Sequence, residues 1–325
     1  MDSIVVIGSL NMDFVLAVDR LPLPGETIFG RNFRVIPGGK GANQAYAAAK
    51  LAGGRTIVRM LGRVGADSFG AALKANLAGA GMDVGAVLET DAEATGVACI
   101  HVDDAGQNSI TVAPGANGLL SASDIVSQRE VLSGARCVLL QLEVPLAAVA
   151  EGLREARRNG ATCILDPAPA RSLPREILEL VDIVTPNENE ACMLAGVPPS
   201  RLNTAEAAAL GRTIRDLGVR SVIVKLGDQG CVYCDSDRTF STAAFPVQAL
   251  DSTAAGDTFN AALAVALAEE MKIEDALRFA SAAGAISVTR AGAQTSAPSR
   301  AEVESMLANV AAEMLRRSQE SSRRQ

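Results

Sequence analysis

Short, continuous apolar runs recur along this chain, each followed by a helix-like stretch, and that alternation restricts its fold more than any other feature. SIVVIG (3–8), TIVRML (56–61), CVLLQL (137–142), ATCILD (161–166), DIVT (182–185) and SVIVK (221–225) show little polar alternation. Such runs are buried on both faces. Helix-like segments at 42–52, near 67–80, 145–159, 187–195 and 204–217 separate them, and the last third reads as helices over 257–270, 274–289 and 300–316. The order predicts an α/β fold: a three-layer sandwich with a central, mostly parallel sheet covered by helices on both sides. A single domain over 1–316 is expected, with the polar tail 317–325 unstructured because it has nothing to bury.

Two stretches break the alternation. Residues 11–37 contain strand-like pieces around a Pro/Gly turn, and 95–114 reads as a hairpin turning at Asp103–Gly106. Their period-two pattern predicts antiparallel strands in a small β-sheet that protrudes from the body. Such a sheet suits a lid, a dimerisation surface or both; an edge hairpin without function would look the same.

Composition excludes several classes. A formal charge of −7 and the absence of Trp argue against a nucleic-acid surface or a base-stacking platform. No apolar stretch is long and pure enough to span a bilayer, and the start has no basic segment before its apolar run, so a cytoplasmic protein is expected. Cys231 and Cys234 have redox-motif spacing but follow a glycine in a strand-like run, with no helix behind them. They and Cys99, Cys137, Cys163 and Cys192 are read as structural. With His101 the only histidine, Ser-His-Asp and Cys-His mechanisms are nearly excluded, and any general base is expected to be a carboxylate.

Ligands in such folds bind beyond the carboxyl ends of the strands, and the candidate motifs lie there. GSLNMD places Asn11 and Asp13 after the first strand, where an amide and a carboxylate together can grip vicinal hydroxyls; an Asx-rich turn fits equally. GGKGAN (38–43) lets backbone approach a ligand, with Lys40 and Asn43 as polar handles, yet it is neither a Walker A loop nor a dinucleotide fingerprint. Asn187 and Glu190 are one helical turn apart and suit Mg²⁺ near a phosphate, or simply the start of a helix. Lys225, Leu226, Gly227, Asp228, Gln229 and Gly230 form a strand end turning through two glycines, either a nucleotide-holding turn or an ordinary hairpin. STAAGDTFNAAL (252–263) sets Asp257 at a helix start, where alone it fits an N-cap better than a catalytic base.

Taken in order, GSLNMD, GGKGANQA, QLEVP (141–145), DPAPA (166–170), TPNENE (185–190), KLGDQG and DSTAAGDTFNAAL resemble the ribokinase-like, or PfkB, carbohydrate kinases from Val5 to about Ser299. GGKGAN and AAGDTFN are the two specific signatures. The resemblance implies an ATP-dependent kinase, phosphorylating D-ribose at O5 in the first instance; deoxyribose, fructose, another small sugar or a nucleoside is the alternative. It implies sugar contacts from Asn11, Asp13, Gly39, Lys40, Gly41, Ala42, Asn43, Glu143 and Asp257. ATP would lie across Asn187, Glu190, the 225–230 turn, Gly256 and Ser281. Asp257 would be the base and the amides of Ala254, Ala255 and Gly256 an anion hole. Glu190 would act on Mg²⁺ through water. A potassium ion would sit against Asp251, Thr253, Ser287, Arg290, Gly292 and Ser296. A homodimer paired through the lid is implied too. A catalytically silent sugar- or nucleotide-binding protein is disfavoured because Gly256 and Asp257 are both present. Position 254 is Ala where the family often has Gly, at a place that supplies only an amide.

Overall fold

The computed structural model describes residues 2–323, with Met1, Arg324 and Gln325 outside it. The body strands are β1 (Ser3–Ile7), β4 (Ile57–Gly65), β5 (Asp83–Thr90), β8 (Ala135–Leu140), β9 (Thr162–Leu165), β10 (Ile183–Val184), β11 (Ser221–Lys225), β12 (Cys231–Cys234) and β13 (Thr239–Thr242). The helices are α1 (Lys40–Ala52), α2 (Ser68–Gly79), α3 (Ala122–Ser127), α4 (Leu146–Arg158), α5 (Arg175–Leu178), α6 (Glu188–Leu194), α7 (Thr204–Asp216), α8 (Ala255–Ala268), α9 (Ile273–Ser287) and α10 (Arg300–Arg323). A second sheet holds β2 (Asn11–Ala17), β3 (Arg31–Gly38), β6 (Gly96–Val102) and β7 (Asn108–Ala113).

Among the described residues the main sheet has the order β13-β12-β11-β10-β9-β8-β1-β4-β5. From β11 to β5 all pairings are parallel; β12 and β13 add an antiparallel edge. Alternate residues of each strand serve different layers, because side chains leave a strand on opposite faces. Ile4 and Val6 join a core with α1, α8 and α9, whereas Val5 and Ile7 join one with α4 and α7. The continuous apolar runs are thus buried on both sides, as the three-layer sandwich requires.

The chain runs from β1 outward through β4 and β5, then returns to β8 on the other side of β1. A crevice opens beyond the strand ends where such a reversal occurs. Gly8, Gln141, Asp166 and Asn187 follow β1, β8, β9 and β10 there, and Lys225 ends β11. Helices α1 and α8 begin with Lys40 and Ala255.

Asn11 and Asp13 lie just past β1, as expected, in strand β2 of the small sheet and not in the Asx-rich turn that was the alternative. Several expectations need correction. The small sheet, of order β3-β2-β6-β7, is not wholly antiparallel: β2 and β6 pair in parallel, Asn11 opposite Gly96 through Ala17 opposite Val102. A hairpin could not make that pair; here the crossover is the body itself, since β3, α1, β4, α2 and β5 intervene. Strand β5 carries no clear signal in the sequence, because DVGAVLET is an edge strand with little buried surface and a weak pattern. Helix α10 continues to Arg323, so 317–323, expected to be unstructured, is helical, and the rest of that tail lies outside the described residues. No described helix is long and apolar enough to cross a membrane. All six cysteines are free, five of them buried.

Candidate active site

The turn before α8 settles which residue caps it. The N-cap is Ala254, left-handed at φ 57°, with no side-chain cap. Asp257 is the third helical residue, and its carboxylate turns inward. Asn43 Nδ2 donates to Oδ2 at 3.2 Å and Gln44 Nε2 to Oδ1 at 3.0 Å. A carboxylate that serves as no cap, yet lies 6% exposed beside a ligand crevice, is spent on something else. Burial pushes its pKa up; Lys40 opposes that, Asp166 adds to it, and the Gln44 and Asn43 amides oppose it.

The glycine-rich entry to α1 is built for close backbone approach. Gly39 is left-handed at φ 86°. A Cβ on Gly41 would stand 2.6 Å from the Gly8 carbonyl carbon, and one on Gly38 would meet the Asp13 carboxylate at 2.0 Å. Ala42 N–H donates to the Ser9 carbonyl at 2.9 Å and Gly41 N–H to Ser9 Oγ at 3.3 Å. Ser9 Oγ in turn donates to Glu143, which also accepts from the Lys40 N–H at 3.0 Å. These bonds bring Lys40, Asn43, Glu143 and Asp257 to one place, with Asn11 and Asp13 packed against the Gly38–Gly39 backbone. Asp13 is buried, and burial first, then the Glu143 and Asp257 charges, push its pKa up to about 7. Burial works against the Lys40 ammonium, but Asp257, Asp166, Glu143 and Glu190 together outweigh it and hold its pKa above the ordinary value.

Some members of this network were not found in the sequence. Gln44 Nε2 also donates to Asp166 Oδ2 at 3.0 Å, and Gln141 Nε2 donates to Gln44 Oε1 at 2.6 Å. On the other side Gln294 Nε2 donates to Asn43 Oδ1 at 3.3 Å. A chain of amides therefore fixes the two groups that hold Asp257. Asn117 secures the base of the small sheet: it accepts from Leu10 N–H, donates to the Leu10 carbonyl, both at 2.9 Å, and donates to Asn11 Oδ1 at 2.8 Å. The only signal for Gln44 and Gln141 was polarity inside apolar runs; for Asp166, its place at a strand end.

The element Asn187–Glu190 is first of all a helix start. Asn187 and Glu190 form a reciprocal capping box, and Glu190 Oε1 also accepts from Asn187 Nδ2 at 2.9 Å. Glu190 is buried, which raises its pKa against the opposing charge of Lys225. Lys225 lies alongside Asn187 through a parallel bridge, and its Nζ is 3.3 Å from Asp166 Oδ1. Beyond Lys225 the turn, 226–230, offers backbone only: Asp228 pairs with Arg201 at 3.2 Å and Gln229 donates to the Leu202 carbonyl at 3.1 Å. Ser281, on α9, lies near Cys231 at the foot of that turn, and its buried hydroxyl has no protein partner. Of the three amides expected to bind an anion, that of Ala255 donates to the Ser252 carbonyl at 3.2 Å.

Beside α8, Asp251 ties two loops together by accepting from Thr253 N–H at 2.9 Å and Gly292 N–H at 2.8 Å. The Gly292 and Thr253 bonds draw its pKa down despite partial burial, which acts the other way. Ser287 and Ser296 are buried nearby in sequence and donate to the Gly284 and Ala293 carbonyls, while Arg290 pairs with Glu302. Such oxygen-rich loops suit a hard, weakly bound cation. Among the described residues no cluster of three or more His, Cys, Asp or Glu could hold a metal.

Residues 1–300 match the profile of the pfkB family of carbohydrate kinases. The chain belongs to that family. It is 41% identical over 300 residues to a ribokinase of Haemophilus influenzae, covering 92% of this chain and 96% of that one. A crystal structure of ribokinase from Thermotoga maritima aligns with TM-score 0.85 and 39% identity, over 94% of this chain and 99% of that one. Arabidopsis thaliana ribokinase, solved with ribose and ATP, aligns with TM-score 0.85 and 35% identity, over 94% and 98%. The kinase fold and the buried carboxylate at the head of α8 thus occur together in a chain of matching length.

Proposed function

We propose that this chain transfers the γ-phosphoryl group of ATP to O5 of D-ribose. The observation that carries the reading is the position of Asp257, buried between the Lys40–Asn43 entry and the first turn of α8. A sugar hydroxyl there can pass its proton to Asp257 as it attacks phosphorus. Asn11, Asp13, Lys40, Asn43 and Glu143, with the backbone of Gly39 to Ala42, hold the remaining hydroxyls. The phosphoryl charge that develops falls on the N-terminal amides of α8, where Gly256 leaves room for an anion. Asn187, the 225–230 turn and the Ser281 region take the nucleotide.

Mg²⁺ would supply charge neutralisation at the phosphates, with Glu190 acting on it through water. Potassium would be held by the loops that Asp251 joins and would stiffen the turn that presents the anion-binding amides. Free cysteines agree with a cytoplasmic setting.

The test is ATP consumption with purified protein against a panel of sugars, with and without potassium. Ribose is expected to give the highest kcat/KM, and potassium to raise the rate. Faster turnover of deoxyribose or fructose would move the substrate assignment; no sugar-dependent consumption would remove the kinase reading.

The small sheet serves, in this reading, as lid and dimer surface. Phe33 and Val35 on β3 and Ile110 and Val112 on β7 are exposed, and Phe29 before β3 is fully so. By register Val35 and its neighbour Phe33 lie on one face of the sheet and Ile110 and Val112 on the other, so the exposed apolar residues form two separate groups at opposite edges, and each calls for cover, here by a second copy of the chain. Sedimentation should give a dimer, and Phe33→Asp with Ile110→Asp a monomer; a monomeric parent protein would dismiss the idea.

A further inference from the structure

Lys225 stands in an unusual position for a strand-end lysine. Its side chain is only 13% exposed, and its backbone is pinned by a 2.8 Å bond from its N–H to the Pro186 carbonyl. Its Nζ lies 3.3 Å from Asp166 Oδ1 and 3.3 Å from where a Cβ on Gly256 would stand. The ammonium therefore hangs over the second residue of α8, where amides expose positive potential. A cation does not come to a helix N-terminus for its own benefit: two positive groups together are unfavourable unless an anion joins them. An ammonium has three N–H donors, and Asp166 takes one.

Resting on the kinase reading above, we propose that Lys225 is a catalytic residue, whose ammonium engages the transferring phosphoryl group beside the Gly256 amide. As the sugar oxygen bonds to the γ-phosphorus, the bond from phosphorus to the β,γ-bridging oxygen breaks. The hydroxyl proton goes to Asp257, and the electron pair of the broken bond stays on the departing ADP. Lys225 keeps its proton throughout and lends a charged hydrogen bond to oxygens that gain charge. Asp166 holds the ammonium in place before ATP arrives. Glycine at 256 lets the lysine come this close, since any side chain there would press on Nζ.

The test compares Lys225→Met, Lys225→Arg and the double variant Lys225→Met with Asp166→Asn, the last removing both members of the ion pair so that no buried charge is left alone. Lys225→Met is expected to lower kcat about 10²–10³-fold, the usual worth of one such donor. It should weaken the β,γ-imido analogue of ATP roughly tenfold or more, with ADP and ribose affinities nearly unchanged. Lys225→Arg should retain part of the lost rate, and the double variant should stay as slow as Lys225→Met. If the double variant regains parental kcat, or if Lys225→Met weakens ADP and the imido analogue alike, the lysine is only a counter-ion and the proposal fails. Parental turnover in Lys225→Met alongside an active parent protein overturns this inference without touching the kinase reading. A parent protein that turns over no sugar fails at the earlier step.

Discussion

Replacing Asp257 by Asn is expected to leave the fold and ATP binding in place and to lower kcat about 10²–10⁴-fold, the range a positioned base contributes. The substitution keeps the volume of a fully packed site. It removes a charge whose desolvation already raises its pKa, so folding loses little; one of the Asn43 and Gln44 amides must turn to suit the new NH₂ group. Lys40 loses the anion that raises its pKa most but keeps Asp166, Glu143 and Glu190. The same raised pKa sets a pH dependence. A base works only when deprotonated, so turnover should decline on the acid side above the ordinary carboxylate range. The residual rate of the variant should lack that limb. Thermal denaturation, ADP titration and a kcat–pH profile check the three parts, and near-parental turnover would take Asp257 out of its role.

Asp13→Asn should bring opposite changes in stability and binding. Asp13 titrates near 7 when folded, against 3.8 for the free side chain. Between those values the native state binds more protons than the unfolded state, so stability falls as pH rises from about 4 to 7. The full span corresponds to roughly 4 kcal/mol, an upper figure. Asparagine cannot ionise, so the variant should match the parent protein near pH 4 and melt at a higher temperature at pH 8. Its sugar affinity should drop about 10- to 100-fold, the worth of a charged hydrogen bond. A melting advantage that ignores pH would show that the charge is not its source. An unchanged ribose dissociation constant would remove Asp13 from the sugar grip.

The sequence made the strand ends legible because each is a run of buried residues interrupted by Gly, Asn or Asp, and those interruptions became the crevice. GGKGAN was legible for the same reason: glycine, lysine and asparagine at a helix entry have few structural uses. That Asp257 is not the cap of α8 could be seen only from the left-handed Ala254, a backbone fact that no residue type announces. Gln44 and Asp166 escaped because their meaning lies in partners far along the chain: Asp166 meets Gln44 across 122 positions and Gln44 meets Asp257 across 213. The parallel β2–β6 pair was hidden likewise, since period-two alternation is the same for either strand direction.

That pair gives the small sheet its mechanics. Asn11, Gly38, Gly96 and Ala113 are aligned by register, Asn11 opposite Gly38 and Gly96, and Val97 opposite Ala113. All four passages between sheet and body therefore occur along one margin, and the sheet is a plate clamped on one side like a cantilever. Its free margin lies six residues away at Ala17, about 20 Å out. Rocking the plate by about 10° would carry that free margin about 3 Å while leaving the clamped row almost still. Asn11 stands on the axis and Asp13 one pleat beyond it. If the sheet serves as the proposed lid, opening would widen the entrance without reshaping the Asn11–Asp13 row, so the proposed hydroxyl contacts would be in place before the plate swings down.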